Sequence, residues 1–451
     1  MTAIHAEFAL LSGGLVSNVR VVLDGSTIAA VIPSAQREAN DISVSVLLPA
    51  MSNVHSHAFQ RAMAGLAETR GPGTDNFWSW RTVMYRFALS MTPDHVEAVA
   101  AQLYMEMLEA GFSRVGEFHY LHHDQDGRPY ANPAEMSERI AAASMEAGIE
   151  LTLLPVFYAH SNFGGQAPAE GQRRFIHDLD GFAALMEKTE ILVAGLPGGV
   201  LGLAPHSLRA VTPDELSKLL HFKKGGPFHI HAAEQTKEVE DCLAWLGARP
   251  VEWLLDNAPV DQSWCLIHST HLSENEVQRL AASGAIAGLC PITEANLGDG
   301  IFSGPSFTEQ GGCFGIGTDS NVLISVHEEL RMLEYAQRLG LRSRNIIAPP
   351  GGSTGLALYQ HALRGGSYAL GTESGIAAGA PANLISLDLS EVPWLPPAQI
   401  LDHWLFADGI RISDVWIRAT RLVHDSRHVK RDEIQRRFHA AMIDLMGQHG
   451  H

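Results

Sequence analysis

From Ala6 to Leu48, short β-prone runs (Val19–Leu23, Ile28–Ile32 and Ser43–Leu48) are separated by turn signals such as Asp24-Gly25. That pattern predicts a small antiparallel sheet. Beyond Pro49 the pattern changes to short apolar runs, each followed by a stretch of helical spacing. The candidate strands are Arg114–Phe118, Leu151–Phe157, Val200–Ala204, Phe228–His231, Cys265–His268, Ile286–Leu289 and Phe314–Gly317. Strand then helix, repeated about eight times, predicts an α/β fold, a parallel (β/α)8 TIM barrel. After Gly375 the β runs return at Asn383–Asp388 and Asp414–Leu422, followed by a helical stretch over Lys430–Met446. A small β-sandwich domain built from both chain termini is therefore expected. In residue terms, 1–48 and 376–428 form its two halves, 49–375 the barrel, and 429–451 a C-terminal helix and tail.

Composition narrows the function classes. Hydrophobic residues make up 46% of the chain and charged residues 18%, a balance that supports a globular core rather than disorder. The formal net charge of -18 repels phosphate backbones and anionic membrane surfaces, so neither nucleic acid nor membrane is an expected partner. A small anionic substrate would need local Arg or Lys groups to overcome the same field. Cys242, Cys265, Cys290 and Cys313 are widely spaced, and reduced, mostly buried thiols are expected. Met1 to Gly14 lacks the pattern of a signal peptide. The apolar stretch Ile191–Ala204 is interrupted at Pro197-Gly198-Gly199 and falls short of the ~20 residues that span a bilayer. A cytoplasmic enzyme is expected.

Four segments carry candidate chemistry. In Asn53-Val54-His55-Ser56-His57, residues two apart on a strand share a face, so His55 and His57 can present imidazoles to one ion. With 23 histidines in the chain, such a pair alone is weak evidence. In Phe228-His229-Ile230-His231, a strand ending at His231 places Glu234 in the following loop, within reach of a substrate. His229 shares a face with His231, but a hydrogen-bonded residue deeper in the barrel is the expected reading. His268 ends a third apolar run. Asp319, in Gly315-Ile316-Gly317-Thr318-Asp319-Ser320, caps a fourth, where it can bind metal, accept a proton or cap a helix. Four separate strands ending in such residues converge, in a barrel, on one mouth. Three imidazoles and a carboxylate suit one divalent ion, zinc first and another transition metal second, with a position left for water.

The order Pro49, Asn53-x-His55-x-His57, His231-x-x-Glu234, His268, Thr318-Asp319-Ser320 resembles the amidohydrolase superfamily over nearly the whole chain, including the return segment Ala377–Leu384. The resemblance implies that His55, His57, His231 and Asp319 are metal ligands and that Glu234 and His268 transfer protons. The fourth candidate strand has no lysine to bridge two metals and continues Leu203-Ala204-Pro205-His206-Ser207, which favours a mononuclear, deaminase-like site.

Within the superfamily, several segments are similar to the formimidoylglutamate deiminase family: His55–Arg61, Phe77-Trp78-Ser79-Trp80-Arg81, Gly116–His123, Ala204–Arg209, and Gly317–Asn321 leading into His327–Arg331. This implies zinc-dependent hydrolysis of a small dicarboxylate from amino-acid breakdown, with release of ammonia. His268 and Asp319 would accept a proton from water and Glu234 would protonate the departing nitrogen. Arg81 and Arg209 are the candidate carboxylate clamps. The resemblance adds Gln60, Tyr120 and His206 as neutral hydrogen-bonding partners. The plain alternatives are a surface position for Arg81 on an aromatic-rich loop, and pairing of Arg209 with Asp214 or Glu215. Trp78 and Trp80 could form part of a lid; His122, His123 and His160 are expected to be loop or core histidines.

Three rival functions remain. A deaminase of guanine, cytosine or an adenosine derivative would stack a ring and use few cations. An amide hydrolase would use the same water, and a non-enzymatic scaffold would have lost ligands. A homodimer is expected by analogy with barrel enzymes of this size.

Overall fold

The computed structural model describes residues 2–71, 73 and 75–449; Met1 and residues 450–451, the outermost parts of the two terminal segments, lie outside the described residues. Eight parallel strand positions make the barrel: Met51–Ser56, Phe112–His119, Glu150–Phe157, the broken pair Val200–Leu201 and Ala204–Pro205, Phe228–Ala232, Trp264–His268, Ile286–Leu289 and Cys313–Ile316. They are called the first to eighth barrel strands below. Ile316 pairs with Asn53 to join the eighth strand to the first. Bridges Leu203–Phe228 and Ser207–His231 join the broken fourth strand to the fifth.

These strands are buried on both faces, as a parallel sheet wrapped in helices requires, and so read as near-continuous apolar runs. Val54, Cys265, Ile267, Ile286, Cys290 and Ala369 form a buried cluster of their own. The helix Thr354–Ala369 lies directly against the eighth strand: a Cβ on Gly365 would stand 1.9 Å from the Phe314 carbonyl oxygen, so only glycine fits there.

The small domain takes strands from both ends of the chain. Its eight strands follow one continuous path: Arg427–His428, Thr420–His424, Arg411–Ile417, Leu384–Asp388, Ile42–Pro49, Thr2–Leu11, Gly14–Asp24, Thr27–Ile32. All neighbours are antiparallel except Thr2–Leu11 and Ile42–Pro49, which run parallel because the chain crosses back past the meander. The run ending at Pro49 thus belongs to this sheet, and the strand that carries His55 starts at Met51. The expected single run Asp414–Leu422 is a hairpin instead. Arg418 and Ala419 adopt left-handed φ of 49° and 65°, and the Arg418 N–H donates to Asn383 Oδ1 at 2.8 Å. Charged and small residues hid this turn, since none of them is a usual signal for it.

Glu150 ties the two parts together at the start of the third barrel strand. It pairs with Arg114 at 3.0 Å and Arg418 at 3.4 Å and accepts from Asn383 Nδ2 at 2.7 Å. Glu150 and Arg114 are both buried. Removing one member of a buried pair strands the other charge, so Glu150→Ala is expected to lose about 3–5 kcal/mol of stability. Urea unfolding of the two proteins reads the difference.

Candidate active site

The barrel mouth is built from strand ends and the left-handed residues that follow them. Ala233, His268, Ser269, Asp319 and Asn321 all have positive φ, turning the chain sharply as it leaves the fifth, sixth and eighth strands. Such strain clusters where a side chain must be aimed. Around Asp319 the turn is held from several sides: its N–H donates to the His55 carbonyl at 3.0 Å, and its own carbonyl accepts from the His57 N–H at 3.0 Å. Asn53 Nδ2 donates to Thr318 Oγ1 at 2.7 Å, and Thr318 Oγ1 donates to Asn321 Oδ1 at 2.6 Å.

This brings four potential ligands together. His55 Nε2 stands 3.2 Å from His57 Nε2, 3.0 Å from His231 Nε2 and 3.2 Å from Asp319 Oδ1, and His57 Nε2 is 3.1 Å from Asp319 Oδ1. All four residues are buried, and one donor atom from each lies within 4.8 Å of the others. The outward ring nitrogens explain why a cation fits. His57 Nδ1 donates to the Phe118 carbonyl and His231 Nδ1 to the His206 carbonyl, each at 3.0 Å. Those rings, when neutral, therefore present bare Nε2 lone pairs inward, which cannot hydrogen-bond each other and suit a divalent ion. Burial, then the neighbouring His57, lowers His55 to about 3. Burial alone would raise Asp319, but the close imidazoles of His55 and His57 outweigh it and hold the carboxyl well below its usual range. His229 lies deeper, donating from Nε2 to the Ala369 carbonyl at 2.7 Å.

Beside this cluster stand His268, Glu234 and Arg209. His268 Nε2 is 3.8 Å from Glu234 Oε1, and Arg209 Nη2 is 3.5 Å from Glu234 Oε2. Burial raises Glu234 above the usual carboxyl range, partly opposed by His268 and Arg209. Burial would lower His268, but Glu234, Glu294 and Asp319 outweigh it and lift the imidazole to about 10. One oxygen of Glu294 lies 3.4 Å from His268 Nδ1 and accepts the Cys290 N–H at 2.9 Å. His268, Cys290 and Glu294 make a second potential ligand group, adjoining the first through His268.

A cavity of about 540 Å³, its open mouth included, leads from these groups to the surface, and Arg81, Arg209, Gln60, Tyr120 and His206 all line it. Gln60 Nε2 donates to Tyr120 Oη at 2.8 Å, while Gln60 Oε1 and Arg209 Nε are buried with no hydrogen-bond partner. Arg209 does not pair with Asp214 or Glu215, which are engaged by Lys218 and His160. The aromatic segment expected as a loop is a helix, Phe77–Ser90, because Asn76 caps it reciprocally with Ser79. On this helix Arg81 lies over the rings of Trp78 and Tyr85, at 4.6 and 5.4 Å. Trp80 faces the cavity and Trp78 supports Arg81 from behind. His122 and His123 donate to the Val156 and Ile176 carbonyls, away from the mouth. Residue-by-residue reasoning missed Tyr158 and Phe175 in the cavity wall and Glu294 behind His268; Glu294, four residues past Cys290-Pro291 at a helix start, was the one with a local signal.

Comparison with known proteins agrees with this geometry. Residues 46–421 match the model of the amidohydrolase family. The chain is 48% identical to the formimidoylglutamate deiminase of Pseudomonas aeruginosa, over 99% of this chain and 100% of that protein. The crystal structure of an amidohydrolase from Brucella melitensis superposes with a TM-score of 0.97 at 55% identity, covering 99% of this chain and 100% of that one. An adenosine deaminase from Xanthomonas campestris with bound zinc shares the fold at a TM-score of 0.81 and 20% identity, over 99% and 98% of the two chains. No described helix is long and apolar enough to cross a membrane. The chain belongs to the amidohydrolase family.

Proposed function

We propose that the protein hydrolyses N-formimidoyl-L-glutamate to N-formyl-L-glutamate and ammonia, a step of histidine degradation, with one zinc ion held by His55, His57, His231 and Asp319. The observation that carries this reading is the pair of arginines in a pocket of an otherwise acidic protein. Arg209 is buried with Nε unpaired, and Arg81 has no carboxylate within ion-pair distance among the described residues. Two guanidinium forks match the two carboxylates of the substrate. The 48%-identical Pseudomonas deiminase supports the same substrate.

The chemistry supplied by an ion at that position is a nucleophile at neutral pH, since it lowers the pKa of water from about 15.7 to about 7. The protein's own groups do the rest. Asp319 would take up the proton released by water, whereas His268, lifted to about 10 by the carboxylates around it, is already protonated at neutral pH and would act as a hydrogen-bond donor instead of the second proton acceptor expected from the sequence. Glu234, held between His268 and Arg209, carries a proton to the departing nitrogen, and its raised pKa keeps it available as an acid. Gln60, Tyr120 and His206 orient the substrate through neutral hydrogen bonds. Water adds to the formimidoyl carbon, the carbon–nitrogen bond to the terminal nitrogen breaks, and ammonia leaves with the formyl product in place. The same reading has the enzyme act on a small solute in the cytoplasm, as a homodimer.

The test is ammonia release by the zinc-loaded enzyme from N-formimidoyl-L-glutamate, beside N-formimidoylglycine and guanine. Release from the glutamate derivative, with kcat/KM lowered on the order of a hundredfold or more in Arg209→Ala, is expected, because a buried charged contact is lost. Release from guanine instead would overturn the substrate assignment.

A further inference from the structure

Arg174 is fully buried, yet no carboxylate pairs with it among the described residues. Two of its three nitrogens meet carbonyls instead: Nη1 donates to Ala88 and Met91, and Nε to His123 at 2.8 Å, while Nη2 is buried without a hydrogen-bond partner. Ala88 and Met91 lie at the C-terminal end of the helix Phe77–Ser90, where unpaired carbonyls and the helix dipole favour a cation. The same helix carries Arg81 and Tyr85 into the cavity. The backbone of Arg174 is tied as well, its carbonyl accepting the N–H groups of both His122 and His123 at 3.0 Å. One buried side chain thus joins the end of the arginine-bearing helix to the loop after the second barrel strand.

Neighbours of Arg174 strengthen the clasp. Phe175 lines the cavity and meets the Tyr120 ring edge-on at 4.9 Å, and Gln172 Nε2 donates to Tyr158 Oη at 2.7 Å. A Cβ on Gly171 would lie 2.6 Å from Tyr85, so this segment touches the helix with no room to spare. Tyr85 is in turn one of the two rings over which Arg81 lies.

We propose that Arg174 is a positioning residue for substrate recognition: by fixing the C-terminal end of helix Phe77–Ser90 it sets where Arg81 meets a carboxylate, without touching the reacting groups. The inference rests on the reading that Arg81 holds the side-chain carboxylate of the substrate and Arg209 the α-carboxylate. A cation buried among carbonyls, with no carboxylate paired to it and one nitrogen unsatisfied, is costly to bury, and neutral packing alone would not require it. Its effect should fall on the carboxylate that Arg81 holds and spare the chemistry around Glu234 and His268.

The experiment compares Arg174→Met and Arg174→Lys with the wild-type zinc enzyme on N-formimidoyl-L-glutamate and on N-formimidoyl-L-alanine, which lacks the second carboxylate. Amide hydrogen exchange is measured on the same proteins. In Arg174→Met, KM for the glutamate derivative should rise roughly ten- to a hundredfold with kcat held within about threefold, as expected for misplaced uniform binding. kcat/KM for the alanine derivative should stay unchanged, exchange should rise over residues 77–90, and Arg174→Lys should recover most of the KM. An equal loss on both substrates, or unchanged KM with unchanged exchange over 77–90, overturns the proposal. If the wild-type enzyme does not act on the glutamate derivative, the functional reading fails instead, and the exchange data alone decide whether Arg174 holds the helix.

Discussion

The Asp319→Asn protein is expected to purify with far less than one equivalent of metal and with ammonia release at the assay floor. Asparagine tolerates the left-handed φ of 43° at this position, so the backbone turn persists and the loss isolates the carboxylate charge. That carboxylate faces His55 and His57 at 3.2 and 3.1 Å, and it is the only anionic member of the four-residue cluster. Without it, three imidazoles and an amide must hold a dication in a buried site, a much weaker donor set. Two measurements separate this from misfolding. Metal content follows the ligand set directly. Thermal unfolding adds a linkage test, since wild-type protein should gain about 2.7 kcal/mol of stability when free zinc is raised to a hundred times its dissociation constant, and the variant little. An Asn variant that keeps a full equivalent and responds to zinc like the wild type would remove Asp319 from the ligand set.

The mouth of the barrel was legible in the sequence because a parallel strand announces its own end. His55, His231, His268 and Asp319 each follow or close an apolar run, and the fold does the gathering. The far wall of the cavity was not legible. Phe175 reaches it from a segment whose position depends on contacts such as Arg174 with Ala88, between residues far apart in the chain, and Tyr158, just past the third barrel strand, is an aromatic residue with no ligand-type signal. The helix Phe77–Ser90 is hidden in the sequence because its aromatic residues do not follow one clean apolar stripe: Phe77 and Trp80 line the cavity while Trp78 lies against Arg81. Likewise the fourth barrel strand is broken into two short pairings, and only the bridges to Phe228 and His231 show that the barrel closes there.

Geometry also bears on which carboxyl group moves the proton. Glu234, Glu238, Glu294 and Asp319 all lie near the mouth, but their oxygens are not equally free. Glu238 accepts the N–H groups of Ala233 and Glu234, and Glu294 accepts that of Cys290 and faces His268. Those two shape the loops. Glu234 lines the cavity, with its oxygens no closer than 3.5 Å to Arg209 and 3.8 Å to His268, so it has room to meet a substrate nitrogen.

Glu234→Gln should therefore lower kcat about a hundred- to ten-thousandfold, the range of a lost general acid, while KM changes little. The amide keeps the size of the side chain and can still accept from Arg209, so the pocket and the clamp persist. What it loses is the exchangeable proton. The sign of the pH effect follows from the raised pKa of Glu234, because an acid must be protonated to act and activity should fall as pH rises through that value. In the glutamine variant this alkaline limb should disappear from the kcat profile along with most of the rate. Metal content should stay at the wild-type level, since Glu234 is not among the four clustered residues that could hold an ion. A variant with wild-type kcat, or one that loses its metal, would assign the proton to His268 or place Glu234 at the ion. Steady-state ammonia release between pH 6 and 10, roughly the window in which both groups can titrate, together with metal analysis of the same samples, distinguishes the three outcomes.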